Sequence, residues 1–149
     1  MSRRSAWSES PAPADVWIGD SLGEMALYYG LADVALLGGS FEPLGGQNLI
    51  EAAACGCRVI MGPSTFNFAE AAELSVASGA SLRVEDMEQA VVNALTLMAD
   101  PVRQNAMVQA ALSFSSAHRG AAARTAAAIG TLLAQRPVVI DSVREPEVA

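Results

Sequence analysis

The sequence predicts an α/β fold, a doubly wound parallel sheet with flanking helices, on three observations. Short apolar runs of strand length alternate with longer runs of helical periodicity, the order that builds a doubly wound parallel sheet. Four of the helical runs open on capping residues, and three close on glycines. The chain's richest loop, Gly38 to Gln47, lies between an apolar run and a helix start, beyond a strand's carboxyl end, where open α/β sheets bind ligands.

Taken in order, residues 1–14 read as an irregular lead-in, since Pro11 and Pro13 forbid a regular element there. Val16-Trp17-Ile18 is a first short strand, ending in Gly19-Asp20. Ser21 opens a helix through Tyr29, with Ser21 and Glu24 at capping-box spacing and Gly30 as the stop. Val34 to Leu37 is the second strand and leads into the glycine loop. A helix over Asn48 to Ala54 follows, Gly56 turns the chain, and Arg58 to Met61 is the third strand, ended by Gly62-Pro63. A loop carries Ser64, Thr65, Phe66, Asn67 and Phe68; Ala69 to Ser78 is helical, with Gly79 as its cap. Ser81 to Val84 is the fourth strand. Asp86 starts a helix to Ala99, with Met87, Val91, Leu95 and Met98 recurring at helical spacing. Asp100-Pro101 restarts the helix, an N-cap followed by proline at the first helical position, and this helix is expected to reach about Leu112. An alanine-rich helix runs from about Arg119 to Ala134. The organisation is therefore one domain over residues 15–135 and a loose tail over 136–149.

Composition narrows the function. A chain of 149 residues with 52% apolar residues builds one domain with a real core. A net charge of −7 and 17% charged residues argue against a nucleic-acid binder or a surface drawn to anionic lipid. Backbone dipoles can still supply a local phosphate site. Cys55 and Cys57 read as free thiols of a reducing compartment, and with His118 as the one histidine no zinc set can be assembled. No run approaches the roughly 18 apolar residues of a spanning helix, so the chain is expected to be soluble.

The glycine loop admits two readings. Paired glycines let a backbone approach a ligand, and a helix start aims unpaired N–H groups at an anion. Equally, Asn48 can be a plain N-cap, with Glu51 completing a capping box. Ser40 can bond a phosphate or cap its own turn. Phe66-Asn67-Phe68 can line a ligand pocket or pack. Trp7 and Trp17 read as packing groups, and His118 as a surface or capping residue.

Five ordered blocks carry a family resemblance: Gly19-Asp20-Ser21-Leu22-Gly23-Glu24-Met25; Tyr29-Gly30-Leu31-Ala32-Asp33-Val34-Ala35; Gly38-Gly39-Ser40; Gly45-Gly46-Gln47-Asn48-Leu49-Ile50-Glu51; and Met61-Gly62-Pro63-Ser64-Thr65-Phe66-Asn67-Phe68. In order and spacing they resemble the carboxyl-terminal domain of 3-deoxy-D-manno-octulosonic acid (Kdo) transferases, over about residues 16–130.

The resemblance implies a GT-B glycosyltransferase, two Rossmann-like domains facing across a cleft, of which this chain is an incomplete carboxyl-terminal one. It implies CMP-Kdo as donor and, through an amino-terminal domain outside this chain, a lipid A precursor as acceptor and the carboxylate general base. No residue here is therefore expected to be catalytic, and no metal or organic cofactor is implied. CMP contacts carry over to Leu22, Gly23 and Glu24 and to Asn48, Leu49, Ile50 and Glu51. Ser40, Gly45, Gly46, Gln47 and Asn67 are candidates to line the donor pocket. The whole enzyme is expected at the cytoplasmic face of the bacterial inner membrane, this part of it in the cytoplasm.

Three departures stand out. Gln47 and Ser64 replace histidines common in the family, so no acid–base role falls on them, and Leu49 replaces a proline. Members are more than twice as long as this chain, and the Pro-Arg pair that contacts CMP early in their donor domain has no counterpart; Arg3-Arg4-Ser5 resembles a later segment. Alternative readings are another GT-B sugar-nucleotide transferase or epimerase, or a non-catalytic nucleotide-binding module.

Overall fold

The computed structural model describes residues 1–8, 10–11, 13–118 and 120–135. They fall in two units, one ending at His118 and one beginning at residue 119. The first unit runs β1 (Ser2–Arg3), β2 (Trp17–Ile18), α1 (Met25–Leu31), β3 (Val34–Leu36), α2 (Leu49–Ala54), β4 (Arg58–Met61), α3 (Ala69–Ala77), β5 (Ser81–Arg83), α4 (Met87–Met98) and α5 (Pro101–His118). The second holds α6 (Ala121–Ala134), on which Ile129, Leu132 and Leu133 are exposed.

Every strand pair among the described residues is parallel: β1 lies beside β2, and β4 lies between β3 and β5. Period-two alternation along β4 decides how the layers form. Val59 and Met61 point into one cluster, with Leu37, Leu49, Ala72 and Phe114 from the β3 end, α2, α3 and α5. Ile60 points the other way, against Val84 and Ala90, so α4 covers the opposite face. Helices thus cover both faces of a parallel sheet, the α/β class expected.

Several boundaries differ from the sequence reading. Residues 1–14 are not wholly irregular. Ser2 and Arg3 pair with Trp17 and Ile18, and the Ser2 N–H donates to the Val16 carbonyl at 2.9 Å. Pro11 and Pro13 fall in the connection between the two strands, where a missing N–H interrupts no ladder.

Helix α1 begins four residues later than expected. Gly23 is left-handed at φ 80°, and the Ser21 hydroxyl bonds the Glu24 carboxylate rather than a backbone N–H. Gly30 lies inside the helix, which ends when Ala32 turns extended towards β3.

On α4 the Asp86 cap forms, its Oδ1 accepting from the Gln89 N–H at 2.8 Å. Its buried stripe, however, is Ala90 and Leu97 with Ala94 half-buried. Met87, Val91, Leu95 and Met98 stay about half exposed. Alanines at 90 and 94 let the helix lie close beside Ile60 and Val84, while Met87, Val91, Leu95 and Met98 fall to the side.

Asp100 caps α5 through the Arg103 N–H at 3.0 Å, and α5 continues six residues past Leu112. Phe114 and Ser115, both buried, extend its packed stripe over that part. The tail read over 136–149, the helix start read at Arg119 and the side chain of His118 lie outside the described residues.

Candidate functional site

Two loops at the carboxyl ends of β3 and β4 are bonded into one body. The glycine loop after β3 folds on itself, the Gly46 N–H donating to the Gly39 carbonyl at 3.1 Å. The loop after β4 holds it from the side. Ser64 N–H donates to the Ser40 carbonyl at 2.9 Å, and Gly45 N–H to Ser64 Oγ at 3.1 Å. Asn67 donates twice, its backbone N–H to the Gly45 carbonyl at 3.2 Å and its Nδ2 to the Leu44 carbonyl at 3.0 Å. Gly45 is left-handed at φ 84°, and a Cβ there would stand 2.5 Å from Asn67 Nδ2. Only glycine lets the two loops meet so closely.

Ser40 is fully buried. Its hydroxyl donates to the Leu37 carbonyl at 2.6 Å and accepts from the Gly62 N–H at 2.9 Å. The turn-cap reading is formed, with the hydroxyl bonded on both sides inside the loop. Gly45 and Gly46 are buried, while Gln47 and Asn67 are exposed. A shallow concavity of about 420 Å³ lies beside this body, lined by Phe41, Glu42, Pro43, Pro63, Ser64 and Phe66. Phe66 is exposed there, while Phe68 turns inward against the core.

Asn48 caps α2, its Oδ1 accepting from the Ile50 N–H at 3.1 Å. The capping box is half made: among the described residues Glu51 returns no bond to the Asn48 amide. One of the N–H groups a helix start would offer an anion is therefore taken, while the Asn48 Nδ2 is uncommitted among the described residues. Leu49 anchors the turn as a fully buried core residue, Ile50 is half-buried, and Glu51 is exposed. Burial pushes the Tyr29 hydroxyl pKa up, and the negative charge of Glu51 adds to it.

The other predicted strip precedes α1. Leu22 is fully exposed, and Gly23 has open space around it. Glu24 is held: Oε1 accepts from Arg4 Nη2 at 2.9 Å, and Oε2 from Tyr28 Oη at 3.0 Å and from Ser21 Oγ. A carboxylate has about four acceptor positions, so roughly one remains for a ligand. Arg4 also lies over the Trp7 ring, 5.4 Å from its centroid, and Trp7 meets Trp17 edge-on at 5.6 Å. Behind Glu24 these residues wall an apolar cleft of about 400 Å³ with Ile18, Leu27, Tyr28 and Leu31. None of the residues implied by the resemblance lines that cleft.

The structure thus brings Gly45, Gly46 and Asn67 together around Ser40 and Ser64. It does not join Leu22–Glu24 to Asn48–Glu51 by any hydrogen bond among the described residues. At the far end of α2 the Cys55 thiol donates to the Ala26 carbonyl of α1 at 3.6 Å. Sequence reasoning misses the Arg4–Glu24 pair, because Arg4 falls in what reads as an irregular lead-in. It also misses Ser64 as the acceptor for Gly45; a hydroxyl opposite a glycine pair is the available signal. Among the described residues no cluster of His, Cys, Asp or Glu could hold a metal ion. No helix among them is long and apolar enough to cross a membrane. Cys55 and Cys57 are free, and burial pushes the Cys57 thiol pKa up.

The carboxylates that hold the amino-terminal segment carry a pH prediction. The Ser21 and Tyr28 hydroxyls, then Arg4, hold the Glu24 carboxyl below its ordinary pKa. The Ser5 hydroxyl and N–H do the same for Asp20. Both folded values are depressed. Their contribution is therefore fully present above the unfolded carboxylate range and is lost as pH falls through the folded values, below about pH 4. Both tryptophans of the chain, Trp7 and Trp17, sit in this segment. On acidification tryptophan fluorescence is expected to change before far-UV circular dichroism does. Coincident transitions would show that the segment is not separately held.

The chain matches no protein-family model. It is similar to the 3-deoxy-D-manno-octulosonic acid transferase of Bordetella pertussis, 56% identical over 124 residues, covering 83% of this chain and 29% of that protein. It is also similar to the transferase of the same name from Haemophilus influenzae, 38% identical over 93 residues, 62% of this chain and 22% of that protein. The chain therefore spans less than a third of the length of these relatives. Among solved structures it resembles the C-terminal CMP-Kdo binding domain of WaaA from Acinetobacter baumannii, with a TM-score of 0.70 and 32% identity, over 76% of this chain and 60% of that one. The Rossmann-like α/β class expected for the carboxyl-terminal domain of a GT-B enzyme is the class found. By sequence and by fold together, the chain belongs to the Kdo transferase family, within that family's carboxyl-terminal domain.

Proposed function

We propose that this chain binds the donor, CMP-Kdo, for a glycosyltransferase that passes Kdo to a lipid A precursor in lipopolysaccharide synthesis. The observation that carries the reading is its likeness in fold and sequence to a solved CMP-Kdo binding domain. CMP is assigned to Asn48–Glu51 and Leu22–Glu24. The uncommitted amide of Asn48 suits a phosphate oxygen or the cytosine carbonyl. Glu51, acceptor-only when ionised, suits ribose hydroxyls, and the remaining acceptor position of Glu24 suits a hydroxyl or the cytosine amine. Gly45, Gly46, Gln47 and Asn67 are assigned to the sugar, with Ser40 as the staple beneath them.

In the transfer, the acceptor hydroxyl would bond the anomeric carbon of Kdo and give its proton to a carboxylate of the acceptor domain. CMP would leave with the phosphate oxygen. That domain would also carry the lipid contact at the inner membrane. This chain by itself is expected to bind donor nucleotide without transferring sugar, and detectable Kdo transfer by it would refute that expectation.

The test is calorimetric titration of the full chain with CMP, UMP and AMP. Tighter binding of CMP than of UMP is expected. Asn48→Ser keeps a good N-cap while shortening the reach of the side chain. It should weaken CMP about tenfold at unchanged melting temperature, the loss of one or two hydrogen bonds. Equal binding of all three nucleotides, or none by the folded chain, would overturn the assignment.

A further inference from the structure

The end of β5 carries an arginine that the donor reading leaves unused. Arg83 spans two elements with its terminal nitrogens. Nη1 donates to Glu73 Oε1 on α3 at 2.6 Å, and Nη2 to Thr65 Oγ1 at 3.2 Å. Its Nε is buried and has no partner among the described residues. A buried donor without a partner is a cost that folding alone would avoid, so the residue calls for another explanation. The planar fork supplies one. A guanidinium reaches a carboxylate and a hydroxyl on different elements at once, which a single ammonium cannot do in the same geometry.

Thr65 is nearly buried and starts the Phe66–Phe68 turn, its carbonyl accepting from the Phe68 N–H at 2.9 Å. That turn presents Asn67, which holds both the Gly45 and the Leu44 carbonyls. A continuous path of bonds therefore runs from α3 through Arg83 and Thr65 to the glycine loop.

We propose that Arg83 is a positioning residue. Tied to α3, it fixes the 64–68 turn against the glycine loop and so sets the Gly45–Asn67 edge of the donor pocket. The effect on nucleotide sugar rests on the donor reading above; the effect on the turn does not. The competing role is a charge acting through space on an anionic ligand. Two substitutions separate the roles, since both keep the positive charge: Arg83→Lys loses the fork, and Thr65→Val loses only the hydroxyl.

The experiment is amide hydrogen exchange by NMR at Gly45 and Asn67, without nucleotide, on the full chain, followed by titration with CMP. Each single variant is expected to speed exchange at these two amides roughly tenfold, leaving β4 amides and the melting temperature nearly unchanged, as for a local opening. The double variant should be no faster than either single one, because both cut the same path. CMP affinity should fall by a similar, non-additive factor of about three to ten. Unchanged exchange in both single variants overturns the proposal, as does additivity in the double variant. Should the wild-type chain bind no CMP, the donor reading fails, and exchange alone still decides whether Arg83 holds the turn.

Discussion

Gly62→Ala is expected to destabilise the chain by about 3 kcal/mol, at the upper end of what overpacking costs. A Cβ built at Gly62 stands 2.5 Å from the Ser40 carbonyl oxygen and 2.8 Å from its carbon. The obstacle is backbone, so no rotamer change relieves it. The Ser40 peptide must move. That oxygen accepts the Ser64 N–H, and the Ser40 hydroxyl accepts the Gly62 N–H, so the movement breaks bonds on both sides of the contact. At about 4 °C per kcal/mol for a domain of this size, the melting midpoint should fall by about 12 °C. Gly38→Ala is the control. Nothing lies within 4 Å of a Cβ there, its φ is not left-handed, and it should stay within about 0.5 kcal/mol of wild type. Thermal melts followed by circular dichroism check both. Equal midpoints for the two variants would mean that the loops after β3 and β4 do not meet as described.

Ile60→Ala is the second large effect, expected at about 3–4 kcal/mol within the usual range for such truncations. Ile60 is fully buried at the centre of β4 and packs with Val84 and Ala90. On this face α4 contributes mostly alanine, which has no atoms to swing into a vacated space, so the cavity should persist. Set against the roughly 5–15 kcal/mol that holds an ordinary domain together, the loss is large. Urea unfolding should show a lowered midpoint with an unchanged slope. A loss under about 1 kcal/mol would mean that α4 does not cover this face.

How much of this is legible in the sequence depends on what fixes each feature. Strand β4 reads at its true bounds because four consecutive apolar-rich residues lie between two glycine turns. The caps at Asn48, Asp86 and Asp100 are legible because capping is a local bond between residues two or three apart. β1 is not, because its partner Trp17–Ile18 lies beyond two prolines and pairing is a tertiary fact. The α4 stripe misleads because periodicity shows that a face exists, not whether the large or the small residues meet the sheet. Of the candidate site, the glycine loop and its flanking residues are visible as composition. The roles of its partners, Ser64, Thr65 and Arg83, are not, because they arise only when separate strands end at the same edge.

The meshing of the two loops also bears on how a ligand would be met. With Gly45, Ser64, Asn67 and Ser40 already bonded to one another, chain order at this edge is set during folding and need not be created on encounter. Association would then lose little backbone entropy. Its heat-capacity change should track the contact surface alone, without the added burial of a segment that folds on binding. Under the donor assignment proposed above, such an edge would favour a fixed stereochemistry of hydroxyl groups over breadth, because a sugar of different configuration would have to be met without rearranging the loop.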